Sequence, residues 1–253
     1  MKLTGNTILL TGGGSGIGLA FAERFLKRDN TVIIVGRNEA KLEEAKKAYP
    51  GLITKSCDLT DEQSRIDLAQ WVLTEYPSLN VLVNNAGIQQ RVNLKNAAES
   101  WSYYEKEITS NLNAPIHLTL LLADHLIRKD NAAIMNVTSG LSLTPGVWVP
   151  IYSATKAGLR SFTKSLRLQF EDAGVEVIEV LPPAVNTALG GAGLHTFGAP
   201  LDDFANGIFE GLELGLTEIA YGGAADRLHA TIKENDEQTA KVWAGFKQNN
   251  PDF

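Results

Sequence analysis

The stretch from Thr7 to Arg28 reads TILLTGGGSGIGLAFAERFLKR. Its first five residues, Thr7 to Thr11, form a short apolar run bounded by Asn6 and the glycines, the pattern of a buried parallel strand. The loop Gly12 to Gly18, GGGSGIG, follows with no spacer. It opens a segment in which Leu19, Phe21, Ala22, Phe25 and Leu26 keep helical spacing. Strand, glycine turn and helix in that order set bare backbone N–H groups and a helix N-terminus before an anion, as phosphate binding requires.

The spacing separates variants of this loop. GxGxxG fails in both registers, because a start at Gly12 puts Ile17 at the last glycine and a start at Gly14 puts Leu19 there. A nucleotide-triphosphate loop fails as well, since Gly18 is followed by Leu19 and not by lysine. TGxxxGIG fits, on Gly12, Gly16 and Gly18, with Gly14, Ser15 and Ile17 completing the loop.

Outward from this unit the chain alternates. TVIIVGR from Thr31 reads as a second strand, NEAKLEEAKKAY as a polar-faced helix capped by Asn38, and Leu52 to Cys57 as a third strand. Val81 to Gly87 gives a fourth strand and its exit. A long helical stretch runs from about Glu99 to Lys129, with a kink or break expected at Pro115. AAIMNVTS before Ser139 is another buried strand, the run after Pro150 is a helix ending near Gly174, and VEVIEVLPPAVNTAL is a strand running into a loop. EIAYGG is a last short strand, and the tail after Ala224 is polar and helical. Strands alternating with helices throughout imply an α/β fold with a doubly wound parallel sheet, a Rossmann fold, in one domain spanning residues 1–253.

Bulk properties narrow the function. The 253 residues carry a net charge of −6, which argues against a nucleic-acid partner or an anionic membrane surface, both of which call for a basic stripe. The single cysteine, Cys57, forms no internal disulfide and reads as a core residue at a strand end. The N-terminus lacks a secretory pattern and no run reaches the ~18 apolar residues of a membrane helix, so a cytoplasmic protein is expected. His117 and His125 stand eight apart with no carboxylate at metal-like spacing and read as structural or surface residues, and His195 and His229 are isolated. No metal is expected.

The chemistry concentrates in NVTSGLSLTPGVWVPIYSATK, Asn136 to Lys156. Tyr152 and Lys156, four apart on a helix, share a face one turn apart. A phenol titrates near ~10 in water, and a fixed cation beside it favours the phenolate, which suits Tyr152 to acid–base work near neutral pH. Cofactor choice is read at the end of the second strand. An acidic residue there would bind the ribose 2′-hydroxyl of NAD, but Gly36 holds that place and Arg37 follows, which favours the 2′-phosphate of NADP; Ser15 adds no second basic residue.

Ser139 followed by Tyr152 and Lys156 resembles the active site of the short-chain dehydrogenase/reductases, and TGxxxGIG is similar to the fingerprint of that family. The resemblance covers nearly the whole chain with its motifs in order, and the whole chain looks most like a bacterial subgroup associated with lipoteichoic acid D-alanylation operons. It implies that Tyr152 exchanges a proton with the substrate oxygen, Lys156 holds the ribose hydroxyls and lowers the tyrosine pKa, Ser139 orients the carbonyl, and Asn111 completes a proton relay through its main-chain carbonyl. It implies further that Asp58 and Leu59 meet the adenine, although Asp58 reads equally as the cap of the helix starting near Asp61. In NNAG, Asn84 would stabilise the sheet while Asn85, Ala86 and Gly87 let the cofactor pass. Val185 and Thr187 match the segment that holds the carboxamide, though Pro182 and Pro183 stand where relatives have Pro-Gly.

The expected activity is an NADP(H)-dependent oxidoreductase acting between nicotinamide and a carbonyl or secondary alcohol, with a cofactor-binding regulator on the same fold as the alternative. A hydrolase is disfavoured, because no GxSxG elbow surrounds any serine. Leu141, Trp148, Leu189 and Leu194 make an apolar pocket that suits a hydrophobic aldehyde or ketone, under a small-residue lid at about 184–204. The helices around Asn111 and Tyr152 carry surplus apolar residues, and a homodimer is expected, with a tetramer as a further possibility. The tail lacks the Asp-Gly-Gly ending through which relatives make tetramer contacts.

Overall fold

A computed structural model describes every residue from Met1 to Phe253. Its strands are β1 (Thr7–Thr11), β2 (Thr31–Gly36), β3 (Ile53–Ser56), β4 (Leu79–Asn84), β5 (Ala133–Val137), β6 (Glu176–Leu181) and β7 (Glu218–Ala220). They form one seven-stranded sheet in the order β3-β2-β1-β4-β5-β6-β7, parallel throughout. The helices are α1 (Gly16–Leu26), α2 (Glu39–Ala48), α3 (Glu62–Glu75), α4 (Trp101–Ile108), α5 (Ala114–Leu126), α6 (Pro150–Gln169), α7 (Leu201–Glu213), α8 (Gly223–Leu228) and α9 (Ile232–Asn249).

Alternate residues of each strand feed two cores. Ile8, Leu10, Val32 and Ile34 pack on one face with Phe21 and Phe25 of α1 and Phe204 and Phe209 of α7. Leu9, Ile33, Val35 and Leu82 pack on the other with Leu68 of α3, Leu118 and Leu122 of α5 and Leu166 of α6. Two covered faces are why these strands read as continuous apolar runs. The chain winds outward from β1 to β3, then crosses back to place β4 on the other side of β1. That reversal opens a crevice beyond the carboxyl ends of β1 and β4, where such sheets bind ligands. No helix is long and apolar enough to cross a membrane.

Three boundaries differ from the reading of the sequence. The stretch expected from Glu99 begins at Trp101, and its irregularity is a π-helical turn over Thr109–Asn113 placed ahead of Pro115. Pro115 then sits in the first turn of α5, where its missing N–H is tolerated. It also removes the donor that would otherwise reach the carbonyl of Asn111 four residues back. Helix α6 stops at Gln169, short of Gly174, which turns the chain into β6 with φ +70°. At the N-terminus of α3 the cap is Asp61, whose carboxylate accepts from the Ser64 amide, so Asp58 is not the cap.

Candidate active site

The glycine loop is tied to its surroundings by the ends of β1 and β4. The Thr11 hydroxyl accepts from the amides of Asn85 and Ala86 at 3.0 and 3.1 Å, and Asn85 Nδ2 donates to the Thr11 carbonyl at 3.0 Å. Gly12 takes φ +70° and Gly16 φ +54°, a region costly for residues with a Cβ. A Cβ on Gly12 would lie 2.8 Å from Ala86 Cα, and one on Gly18 would overlap the Gly12 carbonyl oxygen. Bare backbone is therefore required at the turn and at its close approach to α1.

From this loop a cleft of about 1380 Å³ runs across the carboxyl edge of the sheet. That exceeds the ~300–1,000 Å³ of an ordinary small-ligand pocket and leaves room for a dinucleotide together with a substrate. At one end lie Gly36, Arg37, Asp58 and Leu59; along the middle lie Ser15, Ile17, Asn85, Ala86 and Gly87; at the other end are Ser139, Tyr152 and Lys156. Thr187 stands over the glycine loop, its methyl 3.5 Å from where a Gly16 Cβ would be, and Val185 pairs with Ala199 in an isolated bridge. Leu141, Trp148, Leu189 and Leu194 all line the far end. The residues singled out in the sequence thus share one cleft, and only Gly14 and Asn111 are set back from its wall.

Ser139 leaves β5 in extended conformation and accepts from the Leu141 amide at 3.1 Å, capping a single 3₁₀ turn. Tyr152 and Lys156 rise from the first two turns of α6, both buried. The Lys156 ammonium donates to the Val137 carbonyl at 2.8 Å and sits 5.7 Å from the centre of the Tyr152 ring. Asn111 is fully buried in the π-helical turn. Its Oδ1 accepts from the Ile88 amide at 2.9 Å, and its Nδ2 donates to the Ile88 carbonyl at 2.9 Å and to Thr155 Oγ1 at 3.2 Å. A Cβ on Gly87 would approach Asn111 Oδ1 to 3.2 Å and lie 3.6 Å from Lys156 Nζ, so this glycine sits close against both side chains.

The electrostatics differ from the sequence expectation at one point. Burial pushes the Tyr152 phenol up to about 12, with the Ser139 hydroxyl acting against that shift and the Glu107 carboxylate adding to it. Burial likewise pulls the Lys156 ammonium down to about 8. The tyrosine is therefore held as the neutral phenol, because removal from water outweighs the hydrogen bond from Ser139.

Several residues escaped the sequence reading. Lys41, on the first turns of α2, joins Arg37 and Gly36 at the cofactor end of the cleft. His195 lines the cleft, as do Phe197, Val242 and Phe246. Phe246 comes from α9 and stacks on Trp148, ring centres 4.7 Å apart and planes nearly parallel. Lys41 was within reach of the helical spacing that follows Arg37; nothing local marks Phe246. His117 and His125 are structural, as expected, the first accepting from Arg65 Nε and the second bonded to the Leu79 carbonyl.

The sequence model of the family described as short chain dehydrogenase matches residues 6–194. The chain belongs to the short-chain dehydrogenase/reductase family. An uncharacterized oxidoreductase of Bacillus subtilis, DltE, is 46% identical over 224 residues, covering 87% of this chain and 89% of that protein. This relative meets the whole-chain resemblance drawn from the sequence. The human 15-hydroxyprostaglandin dehydrogenase [NAD(+)] is 31% identical over 201 residues, covering 75% of this chain and 71% of that protein. Among solved structures, a Streptomyces avermitilis short-chain dehydrogenase superposes with TM-score 0.81 at 25% identity, covering 97% of this chain and 98% of that one. A Sphingobium yanoikuyae short-chain dehydrogenase in complex with NADPH superposes with TM-score 0.77 at 24% identity, over 96% and 94% of the two chains, and shares the fold. Membership of the family makes this an oxidoreductase.

Proposed function

We propose that the protein is an NADP(H)-dependent reductase of hydrophobic aldehydes or ketones, working reversibly with the corresponding alcohols. The observation that carries this reading is the convergence of Ser139, Tyr152 and Lys156 at the apolar end of a cleft whose other end is a glycine-lined anion cradle. The cleft fits a dinucleotide, since it runs from the bare backbone of Gly12, Gly16 and Gly18 to Tyr152 and Lys156 with about 1380 Å³ of space. Arg37 and Lys41 bring two cations to the end of β2, where an NAD-selective chain would carry a carboxylate, and this supports NADP. Asp58 beside them is spent locally, its Oδ1 accepting from the amide and hydroxyl of Thr60.

The bound nicotinamide would supply the hydride. The chain supplies the proton and the alignment. Ser139 donates a hydrogen bond to the carbonyl oxygen and holds it against Tyr152. The phenol of Tyr152 releases its proton to that oxygen as negative charge builds there. A phenol held neutral by burial is ready for this acid role. The Lys156 ammonium then faces the phenolate it has helped to form and stabilises it. Leu141, Trp148 and Leu189 exclude water and accept an apolar substituent. We further place a lid at about 184–204, a cytoplasmic location, and a homodimer formed through α4, α5 and α6, which leave Trp101, Leu120 and Leu168 exposed.

The deciding experiment is a parallel titration with NADPH and NADH, following energy transfer from the tryptophans to the reduced ring. NADPH is expected to bind more tightly, and Arg37→Ala to weaken it by roughly ten-fold to a hundred-fold while leaving NADH unchanged, the loss of one charge-assisted contact to phosphate. Preference for NADH would overturn the NADP assignment. Binding of NADPH without turnover of any carbonyl would favour a regulator on this fold.

A further inference from the structure

The protein has nine arginines, and six of them are engaged. Arg24, Arg28, Arg128 and Arg160 each donate to a carboxylate, and Arg65 and Arg167 donate to main-chain carbonyls. The side chains of the other three, Arg37, Arg91 and Arg227, make no hydrogen bond and no ion pair, and all three line the cleft. A guanidinium offers five donors in a fixed fork that matches a carboxylate or a phosphate, so free arginines confined to one cleft mark places for anions. Arg37 belongs to the reading of the 2′-phosphate. Arg91 does not, because its contacts tie it to the other end of the cleft.

The backbone on either side of Arg91 is fixed. The Gln90 amide before it donates to Glu107 Oε1 at 2.9 Å, a carboxylate with no exposed surface, and the Val92 amide after it donates to the Trp148 carbonyl at 3.0 Å. Held at both sides, the loop sets the Arg91 guanidinium over the Phe246 ring, 5.8 Å from its centre. That ring stacks on Trp148, four residues before Tyr152. Arg91 is itself exposed, so its charge faces the open cleft and is not spent inside the fold. The acids that line the cleft leave it free: Asp58 accepts from Thr60, and Asp226 of α8 forms no ion pair. Arg227 adds a second free cation from α8, a helix that packs on the turn after Ser139, where a Cβ on Gly140 would lie 3.1 Å from Ala224 Cβ.

We propose that Arg91 is a specificity-determining residue that binds a carboxylate on the substrate, so that the carbonyl compound taken is amphipathic, with an apolar body against Trp148 and Phe246 and an anionic end at the guanidinium. This deepens the reductase reading given above and rests on it. Charge-assisted hydrogen bonds from a guanidinium to a carboxylate are roughly twice as strong as neutral ones. The rigid mounting of the loop means that little ordering is lost when the contact forms. Because the carboxylate lies away from the reacting carbon, the contact is the same before and during hydride transfer. It therefore acts on KM and leaves kcat alone.

The test compares 12-oxododecanoate with its methyl ester, both offered with NADPH. The acid is expected to show kcat/KM about ten-fold above the ester, through KM, and to lose that advantage as salt is raised. Arg91→Met, which keeps an unbranched stem over Phe246, is expected to bring the acid down to the ester, and Arg91→Glu to place the ester ahead. Equal kcat/KM for the two compounds in the wild type overturns the proposal, as does an advantage of the acid that survives in either variant. If neither aldehyde is reduced, calorimetry with decanoate and 1-decanol decides separately. Decanoate bound more tightly by the wild type and released by Arg91→Met would sustain the Arg91 assignment and defeat the reductase reading, whereas no preference between the two overturns the assignment.

Discussion

Tyr152 is buried on α6 one turn before Lys156, and its surroundings hold the phenol neutral. The four-residue spacing to Lys156 placed a cation beside the phenol, as the sequence implied, but burial of both groups reverses the expected shift. Burial depends on what β5, α6 and the Gly87 loop do around the pair, which no local pattern encodes. Replacing Tyr152 by Phe removes the proton donor without disturbing an otherwise buried ring, so turnover is expected to fall by about 10²–10⁴-fold with NADPH affinity unchanged. Stopped-flow turnover set against the tryptophan titration measures both. Loss of binding alongside turnover would show that the hydroxyl holds the cofactor as well. At the cofactor end, Arg37 was legible from its position after Gly36. Lys41 joins it only because the first turns of α2 fold back toward the glycine loop, where a Gly14 Cβ would touch the Lys41 Cβ at 3.5 Å.

The strand–loop–helix unit from Thr7 to Leu26 behaves as one element. Gly18 looks directly at the Gly12 carbonyl, so Gly18→Ala must push α1 away from β1. The expected result is a loss of roughly 1–3 kcal/mol in urea unfolding together with weakened NADPH binding; full stability in that variant would mean that α1 shifts freely. Helix α9 is a contrasting case. Its polar composition read as a surface helix, and its capping box at Thr231 and Glu234 is local and clear. Yet Phe246 reaches the cleft, stacks on Trp148 and carries the Arg91 guanidinium over its ring, 5.8 Å from the ring centre. Phe246→Ala is expected to lower kcat/KM for an aryl or long-chain aldehyde by about ten-fold and to spare a small aliphatic one, by the loss of apolar contact alone. Equal losses for both would place α9 outside the substrate site.

At the scale of the molecule, the surface that bears on assembly is that of α4, α5 and α6. Trp101 of α4, Leu120 of α5 and Leu168 of α6 are 64, 66 and 73% exposed, on helices that pack beside one another. Light scattering at micromolar concentration is expected to return twice the chain mass, and Leu120→Glu with Leu168→Glu to return the monomer. A wild-type monomer would remove the dimer.

The order of strands and helices, the glycine loop and the spacing of Ser139, Tyr152 and Lys156 are all legible in the linear chain. Each rests on short-range physics: the period of buried side chains, the bare backbone a phosphate turn needs, one helical turn between two catalytic groups. Tertiary structure alone decided the rest. It brought Lys41, His195 and Phe246 to the cleft from distant segments, chose Asp61 over Asp58 as the helix cap, and buried Glu107 against the Gln90 amide with one oxygen unbonded. These depend on which groups lose water and which face one another across elements far apart in the chain, and desolvation and long-range contact exist only once the sheet is assembled.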